Sequence, residues 1–428
     1  MKKQLKMCLT AAALAAFAAP MLAAKVCDVR KYGAKGDGTT KDTKAIQAAI
    51  DDCAKQKKGG TVTLSGGTFL SAPIVLKSNI TLNLGKDTTL LGSPDHDDYP
   101  VIQEFRQQGH QALVSAVHAE HVSITGEGTI DGNGASWWHV YREAGPPTIP
   151  GSGVARGQAA RPRLVVFDHC KHVSLTGVTV KNSPFWQVVP YYSDDIVIRN
   201  VRITATLPSP NTDAIDPFSS SNLVIDHVYA DTGDDDVAIK SGFANSPGGD
   251  EPSKNITITD CTFDHGHGVS LGSEIAGGVQ NVRVERVKFT GTDNGIRIKA
   301  NRDRGADVSN IVFKDITMDN VKNPILITEY YPSAGTLNPV AAMPVTRLTP
   351  MFHNITIENV TATNSGNDGS IVGLPESPVL DLTLRNVHIS GKTGMLIAYA
   401  KVTMENTDFK AESGEPLRVA ESATVTKK

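Results

Sequence analysis

The sequence predicts an all-β fold, a right-handed parallel β-helix (a solenoid) closed at its N-terminal end by a short capping helix. Three observations point there. The first is a recurring phrase: a polar residue, alternating apolar positions, then a turn. It reads HVSITG at His121, HVSLTG at His172, DIVIRN at Asp195, NLVIDH at Asn222 and NITITD at Asn255. It continues as NVRVER at Asn281, NIVFKD at Asn310, NITIEN at Asn354 and DLTLRN at Asp381, with NITLNL at Asn79 an earlier copy and KVTMEN at Lys401 a weaker late one. Most starts lie about 20–33 residues apart, the spacing of stacked coils. The second is the period of two inside each phrase, on β-branched residues, which is strand rather than helix. The third is that no helical pattern lies between copies, which sets aside helical and leucine-rich repeats. A β-sandwich would join most strands by Asn-Gly or Asp-Gly hairpins, and these are scarce. Each coil is expected to supply about three short strands, with coils ~4.8 Å apart.

Taken in chain order, Lys2, Lys3 and Lys6 precede an Ala/Leu-rich run from Met7 to Pro20 and small residues at Ala18, Ala19, Ala23 and Ala24. Residues 1–24 therefore read as a secretory signal peptide, cleaved after Ala24. Residues 25–428 read as one parallel β-helix catalytic domain, secreted or periplasmic, with no membrane segment in the mature form. Export implies an oxidising compartment. Of the four cysteines left, Cys27 and Cys53 are paired in this reading because both lie in the N-terminal segment, and Cys170 and Cys261 are read as buried thiols in apolar strand-like runs. The glycines of YGAKGDG read as a turn, since the lysine of a phosphate loop and its strand-glycine-helix setting are missing. A solenoid end must be covered. Asp42 is a suitable N-cap, and Ala45, Ile46, Ala49, Ile50 and Cys53 fall on one helical face behind it. The stretch 331–350 reads as a loop leaving a coil.

Lys+Arg is 42 against Asp+Glu 45, a net charge of −3, which disfavours a nucleic-acid binder. Chemistry concentrates in a second strand of four successive coils: DAIDPF from Asp213, DDVAIK from Asp235, HGVSLG from His267 and NGIRIK from Asn294. Aligning their apolar positions stacks Asp213, Asp235, His267 and Asn294 in one row. Asp216, Ala238, Ser270 and Arg297 form the next, with Lys240 and Lys299 beyond and Asp234 just before Asp235. Like charges ~5 Å apart raise each other's pKa, a cost that a structural surface avoids and acid/base hydrolysis of a glycoside exploits. Arg297 and Lys299 flank Ile298 and should both face outward, where a guanidinium beside an ammonium suits a carboxylate-bearing ligand.

These residues resemble the polygalacturonases, glycoside hydrolase family 28, and most of all the bacterial endo-acting members. The resemblance rests on NTDAID at Asn211, TGDDDVAIKSG at Thr232, GHGVSLGSE at Gly266 and GIRIKA at Gly295, with GTIDGNG at Gly128 and Ser136-Trp137-Trp138 as further family-like segments. It implies hydrolysis of α-1,4-galacturonosyl linkages of polygalacturonate (pectin) with inversion. Asp234 is then the general acid, and Asp213 and Asp235 hold and deprotonate the attacking water. His267 sits near the general acid and tunes its protonation or holds the scissile region. Arg297 and Lys299 bind the galacturonate carboxylate, Asn211 contacts substrate and Tyr331 sits at a sugar subsite. Asp236 receives no role. The family motif has glycine where Ala214 stands, so a methyl is expected to crowd the cleft floor.

No cofactor and no metal are expected, and the protein is expected to be a monomer whose partner is the galacturonan polysaccharide. Asp95, Asp97 and Asp98 lack a calcium-loop spacing and read as a surface turn. Asp264, His265 and His267 are a weak metal alternative. The competing functions are exo-acting polygalacturonase, rhamnogalacturonan hydrolase, a calcium-dependent pectate lyase and a non-catalytic carbohydrate-binding β-helix module. Cleft loops at 241–253 and 331–350 are where endo and exo action part.

Overall fold

The architecture comes from a computed structural model, which describes residues 25–104, 107–144, 160–244 and 251–428. The signal peptide expected at residues 1–24 lies outside the described residues, as does part of the 241–253 loop. The described residues wind as a right-handed parallel β-helix. The recurring phrase forms one continuous parallel ladder. Val122 pairs with Val173, which pairs with Ile196, then Leu223, Ile256, Val282, Ile311, Ile355, Leu382 and Val402. These side chains point inward and make one core along the solenoid axis. Alternate residues face solvent, the consequence of a period of two.

The polar residue opening each phrase has a structural task. His121, His172, Asp195, Asn222, Asn255, Asn281, Asn310, Asn354 and Asp381 all have φ between 50° and 59°. Each coil turns a corner there through a left-handed residue, a conformation that Asn, Asp and His tolerate best among side-chain-bearing residues. The asparagines also stack. Asn255 Nδ2 donates to Asn222 Oδ1, Asn281 to Asn255 and Asn310 to Asn281, each at 3.0 Å, and Asn354 donates to Asn310.

A second sheet runs along one side of the solenoid. Ile74–Leu76, Val114–Val117, Val165–Asp168 and Val188–Tyr191 pair in parallel. Bridges from Val188 to Ile215 and from Ile215 to Val237 carry it to Val237–Ile239, then Val269–Gly272, Asn294–Lys299 and Asn323–Thr328. This sheet bears the acidic rows.

Helix α1, Thr43–Ala54, packs Ile46, Ala49, Ile50 and Cys53 against the first coil, and Cys53 forms a disulfide with Cys27. Asp42 precedes the helix, but its carboxylate does not cap it. It accepts from the backbone N–H of Lys35 at 2.7 Å and of Gly36 at 2.8 Å, tying the YGAKGDG turn to the helix instead. Cys170 and Cys261 are buried thiols, but they stand at turns between strands rather than within them. Residues 331–350 contain no strand. A second helix, α2 (Ala135–Glu143), was not anticipated and buries Trp137 and Trp138. No described helix is long and apolar enough to cross a membrane.

Candidate active site

Register builds the site. Ile215, Val237, Val269 and Ile296 pair successively, and all are fully buried in the core. Two residues earlier on each segment stand Asp213, Asp235, His267 and Asn294; one residue later stand Asp216, Ala238, Ser270 and Arg297. The expected row Asp216, Ala238, Ser270 and Arg297 is therefore present, but the preceding row lies before the paired strands, where His267 meets Asp234 and Asp235 turns to Ser270 and Arg297.

Asp235 is 1 % exposed and sits among cations. Lys299 Nζ donates to Oδ2 at 2.7 Å, while Arg297 Nη1 at 3.1 Å and Ser270 Oγ at 2.8 Å donate to Oδ1. Burial works to raise its pKa, but Lys299 and then Arg297 outweigh it and hold the carboxyl well below its ordinary range. The pair expected to await a ligand carboxylate thus first neutralises a protein carboxylate. Tyr331 closes this corner, its ring centroid 5.3 Å from Lys299 Nζ and 5.7 Å from the Arg297 guanidinium carbon.

Asp234 has different partners. His267 Nδ1 lies 3.0 Å from Oδ1, and Asn211 Nδ2 donates to Oδ2 at 3.2 Å. Burial pushes the carboxyl up, yet the His267 hydrogen bond prevails and its pKa is lowered. The same contact, against burial, raises that of His267. His267 is placed by its neighbours: its backbone N–H donates to the Asp234 carbonyl at 2.9 Å, and Gly268, at φ 73°, lies where an added Cβ would meet the Asn294 carbonyl at 2.1 Å. Asp236, given no role from sequence, accepts from Gly268 N–H at 2.9 Å, and burial raises its pKa well above the usual range.

Asp213 is 3 % exposed, and burial, with the charge of Asp216 next, pushes its pKa far up. Asp216 is raised to about 7 by burial. Lys240 Nζ approaches Asp213, Asp216 and Glu274 at 3.8, 3.5 and 3.5 Å and lies 4.8 Å from the Trp186 ring centroid. Burial opposes its charge, but Glu274 and then Asp216 raise its pKa. The expectation that neighbouring carboxylates raise one another holds at Asp213, which the charges of Asp216, Asp234 and Asp235 push further up, and fails at Asp234 and Asp235, where other partners prevail. Burial thus raises Asp213 and Asp216, while specific partners lower Asp234 and Asp235, so carboxyls of opposite tendency meet at one site.

All eight sequence-derived site residues converge here. Ala214 does not reach the cleft: its methyl is fully buried in the hydrophobic core, so the expected crowding of the cleft floor does not occur. The oxygens and nitrogens of Asp234, Asp235 and His267 lie within 4.8 Å of one another, but Arg297 and Lys299 already occupy the Asp235 carboxylate. His265 turns to Asp231 at 3.0 Å while His267 turns to Asp234, so Asp264, His265 and His267 do not form one ligand set. Arg161, Trp186 and Glu274 escaped sequence reasoning. Arg161 and Trp186 lie outside the aligned motifs, and Glu274 follows GHGVSLGS at a position that the strand alignment does not cover.

A solenoid groove lined by paired acids, with a histidine and an arginine-lysine pair beside them, defines a glycosidase. The chain belongs to glycosyl hydrolases family 28, whose model matches residues 53–409. It is 31 % identical over 375 residues to an endo-polygalacturonase of Pectobacterium carotovorum subsp. carotovorum, covering 83 % of this chain and 86 % of that protein. It is also 31 % identical over 386 residues to a probable polygalacturonase of Vitis vinifera, covering 84 % and 74 %. Among solved structures, the family 28 exopolygalacturonase of Yersinia enterocolitica superposes with a TM-score of 0.81 at 25 % identity, over 94 % of this chain and 78 % of that one.

Proposed function

We propose that the protein hydrolyses α-1,4-galacturonosyl linkages of polygalacturonate with inversion, cutting within the polymer. The observation that carries this is the meeting of Asp213, Asp234 and Asp235 with Arg297 and Lys299: an acid/base site whose cationic wall suits a uronate carboxylate. Arg297 Nε is buried and has no acceptor among the described residues, a donor available to that carboxylate.

In this reading Asp235, ionised, accepts the proton of the attacking water, and Asp213 helps hold that water. The glycosidic oxygen takes its proton from Asp234. The free site keeps that proton on the His267–Asp234 pair. A bound sugar excludes water, which disfavours the ion pair relative to neutral imidazole and carboxylic acid, so the proton moves to Asp234. Inverting glycosidases usually hold acid and base ~6.5–9.5 Å apart with water between them, whereas carboxylate oxygens of Asp234 and Asp235 come within 4.8 Å, so inversion here rests on the resemblance to the family and not on this spacing. Attack inside the chain is favoured by the likeness to the Pectobacterium endo-polygalacturonase across most of its length. The Cys27–Cys53 disulfide supports export.

The test is demethylated polygalacturonate with EDTA, following reducing ends and viscosity together. Early viscosity loss at low reducing-end yield is expected. Reducing ends without viscosity loss would mean exo action; activity lost to EDTA with an unsaturated product would mean a lyase. Retention of polymer without cleavage would mean a binding module. Asp234→Asn is expected to lower kcat by at least ~10²-fold with an unchanged melting temperature, and near-normal turnover would remove Asp234 from the acid role.

A further inference from the structure

Arg161 is 5 % exposed and reaches the site from outside the acidic rows. Its guanidinium carbon lies 3.8 Å from the Tyr141 ring centroid and 4.6 Å from that of Phe185. Nη1 donates to the carbonyls of Pro184 at 2.9 Å and Pro210 at 2.7 Å, and Nη2 donates to Asn211 Oδ1 at 2.8 Å. The other end of the same amide, Nδ2, donates to Asp234 Oδ2 at 3.2 Å.

We infer that Arg161 is a positioning residue that fixes the Asn211 amide so that its NH2 group always faces Asp234, aligning the acid for proton transfer. The logic is donor and acceptor inventory. A guanidinium only donates, so the amide oxygen must face it. An ionised carboxylate only accepts, so the amide nitrogen must face it. With the guanidinium anchored on two carbonyls and flanked by two rings, the amide has one orientation. Without it, a half-turn of the amide sets oxygen against oxygen at Asp234. Asn211 has a φ of 56°, so its backbone turn also aims the side chain across this gap. Asp234 is otherwise faced by His267, by the carboxyls of Asp235 and Asp213, and by the charge of Lys299. The backbone N–H of Asp235 donates to Oδ1 at 2.9 Å, and Asn211 is the side chain that donates to Oδ2.

This rests on the reading of Asp234 as the general acid of polygalacturonate hydrolysis. The test compares Arg161→Met, Arg161→Lys, Asn211→Gly and the double variant Arg161→Met/Asn211→Gly. Glycine keeps the left-handed backbone while deleting the amide. Losing the amide donor disfavours the ionised form of Asp234, so the basic limb of the kcat/KM–pH profile moves to higher pH. Arg161→Met and Asn211→Gly are expected to show the same shift and a kcat loss of at least about tenfold. The double variant is expected to lose no more than either single one. Arg161→Lys, whose ammonium can still donate to the amide oxygen, restores the limb. Losses that multiply in the double variant, or an unmoved limb in Asn211→Gly, overturn the inference; the latter decides it even where Arg161→Met does not fold. A crystal structure of Arg161→Met is the check that needs no substrate. An Asn211 amide turned from Asp234 supports the inference, and one still donating to Oδ2 refutes it. Failure of the wild-type protein to cleave polygalacturonate instead removes the functional reading.

Discussion

Asp235 shows how one carboxylate is kept ionised where water is excluded. Lys299 at 2.7 Å and Arg297 at 3.1 Å supply charge and hydrogen bonds that outweigh desolvation. Lys299→Met keeps most of the length of the side chain and removes the charge. The pKa of Asp235 then rises, because one of its two cations is gone while burial stays. In the proposed reaction Asp235 is the water-activating base and must be ionised, so the acid limb of the kcat/KM–pH profile should move to higher pH, measured on polygalacturonate across the acidic range. An unmoved limb would assign it to another carboxyl. Among the residues named from sequence, those on the regular strands were legible, since Arg297 and Lys299 flank Ile298 and had to face outward together. Ala214 was misplaced because it lies at the bend before Ile215, where alternation no longer tells inside from outside. Asp42 was misread for a related reason. A capping residue type marks a helix start, but which N–H groups its carboxylate meets depends on the YGAKGDG turn packed beside it.

At the scale of an element, the corner of each coil combines two demands. Asn281 takes a φ of 57°, donates to Asn255 and accepts from Asn310. Asn281→Ala loses both hydrogen bonds and places a β-carbon residue in the left-handed region, for a cost of about 2–3 kcal/mol. Asn281→Gly loses the bonds but not the backbone fit, and should be the milder change by about 1 kcal/mol. Paired thermal melts at one pH check the order, and Gly falling to or below Ala would show that left-handed strain adds little at this corner. The repeated phrase announced the strands of these coils because alternation is a local property. The ladder is not local. It forms only when coils come into register, and nothing in a single NITITD says that its asparagine will meet the next. Helix α2 escaped for the opposite reason: ASWWHVYRE is short, and its Trp137 and Trp138 meet the solenoid only after folding.

Across the whole molecule, buried carboxyls set the pH range of stability. Burial raises both Asp216 and Asp368 to about 7. A carboxyl raised in the folded state favours folding most below its unfolded value, and that advantage disappears as pH rises through the folded value. Asp234, Asp235 and Glu274 are lowered and act in the opposite sense, losing their contribution as pH falls through their depressed values. The melting temperature should therefore fall between about pH 5 and pH 8. Asp368→Asn, remote in sequence from the acidic rows, should remove part of that fall without moving the kcat/KM–pH profile, read by scanning calorimetry alongside initial rates. An equally steep fall in the variant would place the titration elsewhere.

Local pattern by itself determined the parallel solenoid, the capping helix, and the rows that bring Asp213, Asp235, His267 and Arg297 to one face. Period-two alternation decides which side chains leave the core, and repeated spacing decides which coils are neighbours. Only the tertiary structure decided what those side chains do to each other. Whether a carboxyl is protonated depends on distances of a few ångströms to groups tens of residues away. Asp235 meets Lys299, Asp234 meets His267 and Asn211, and Asp213 is left to burial beside Asp216. Arg161 belongs wholly to this second kind of information, since its place beside Asn211 comes from the path of the chain between coils, which obeys no repeat.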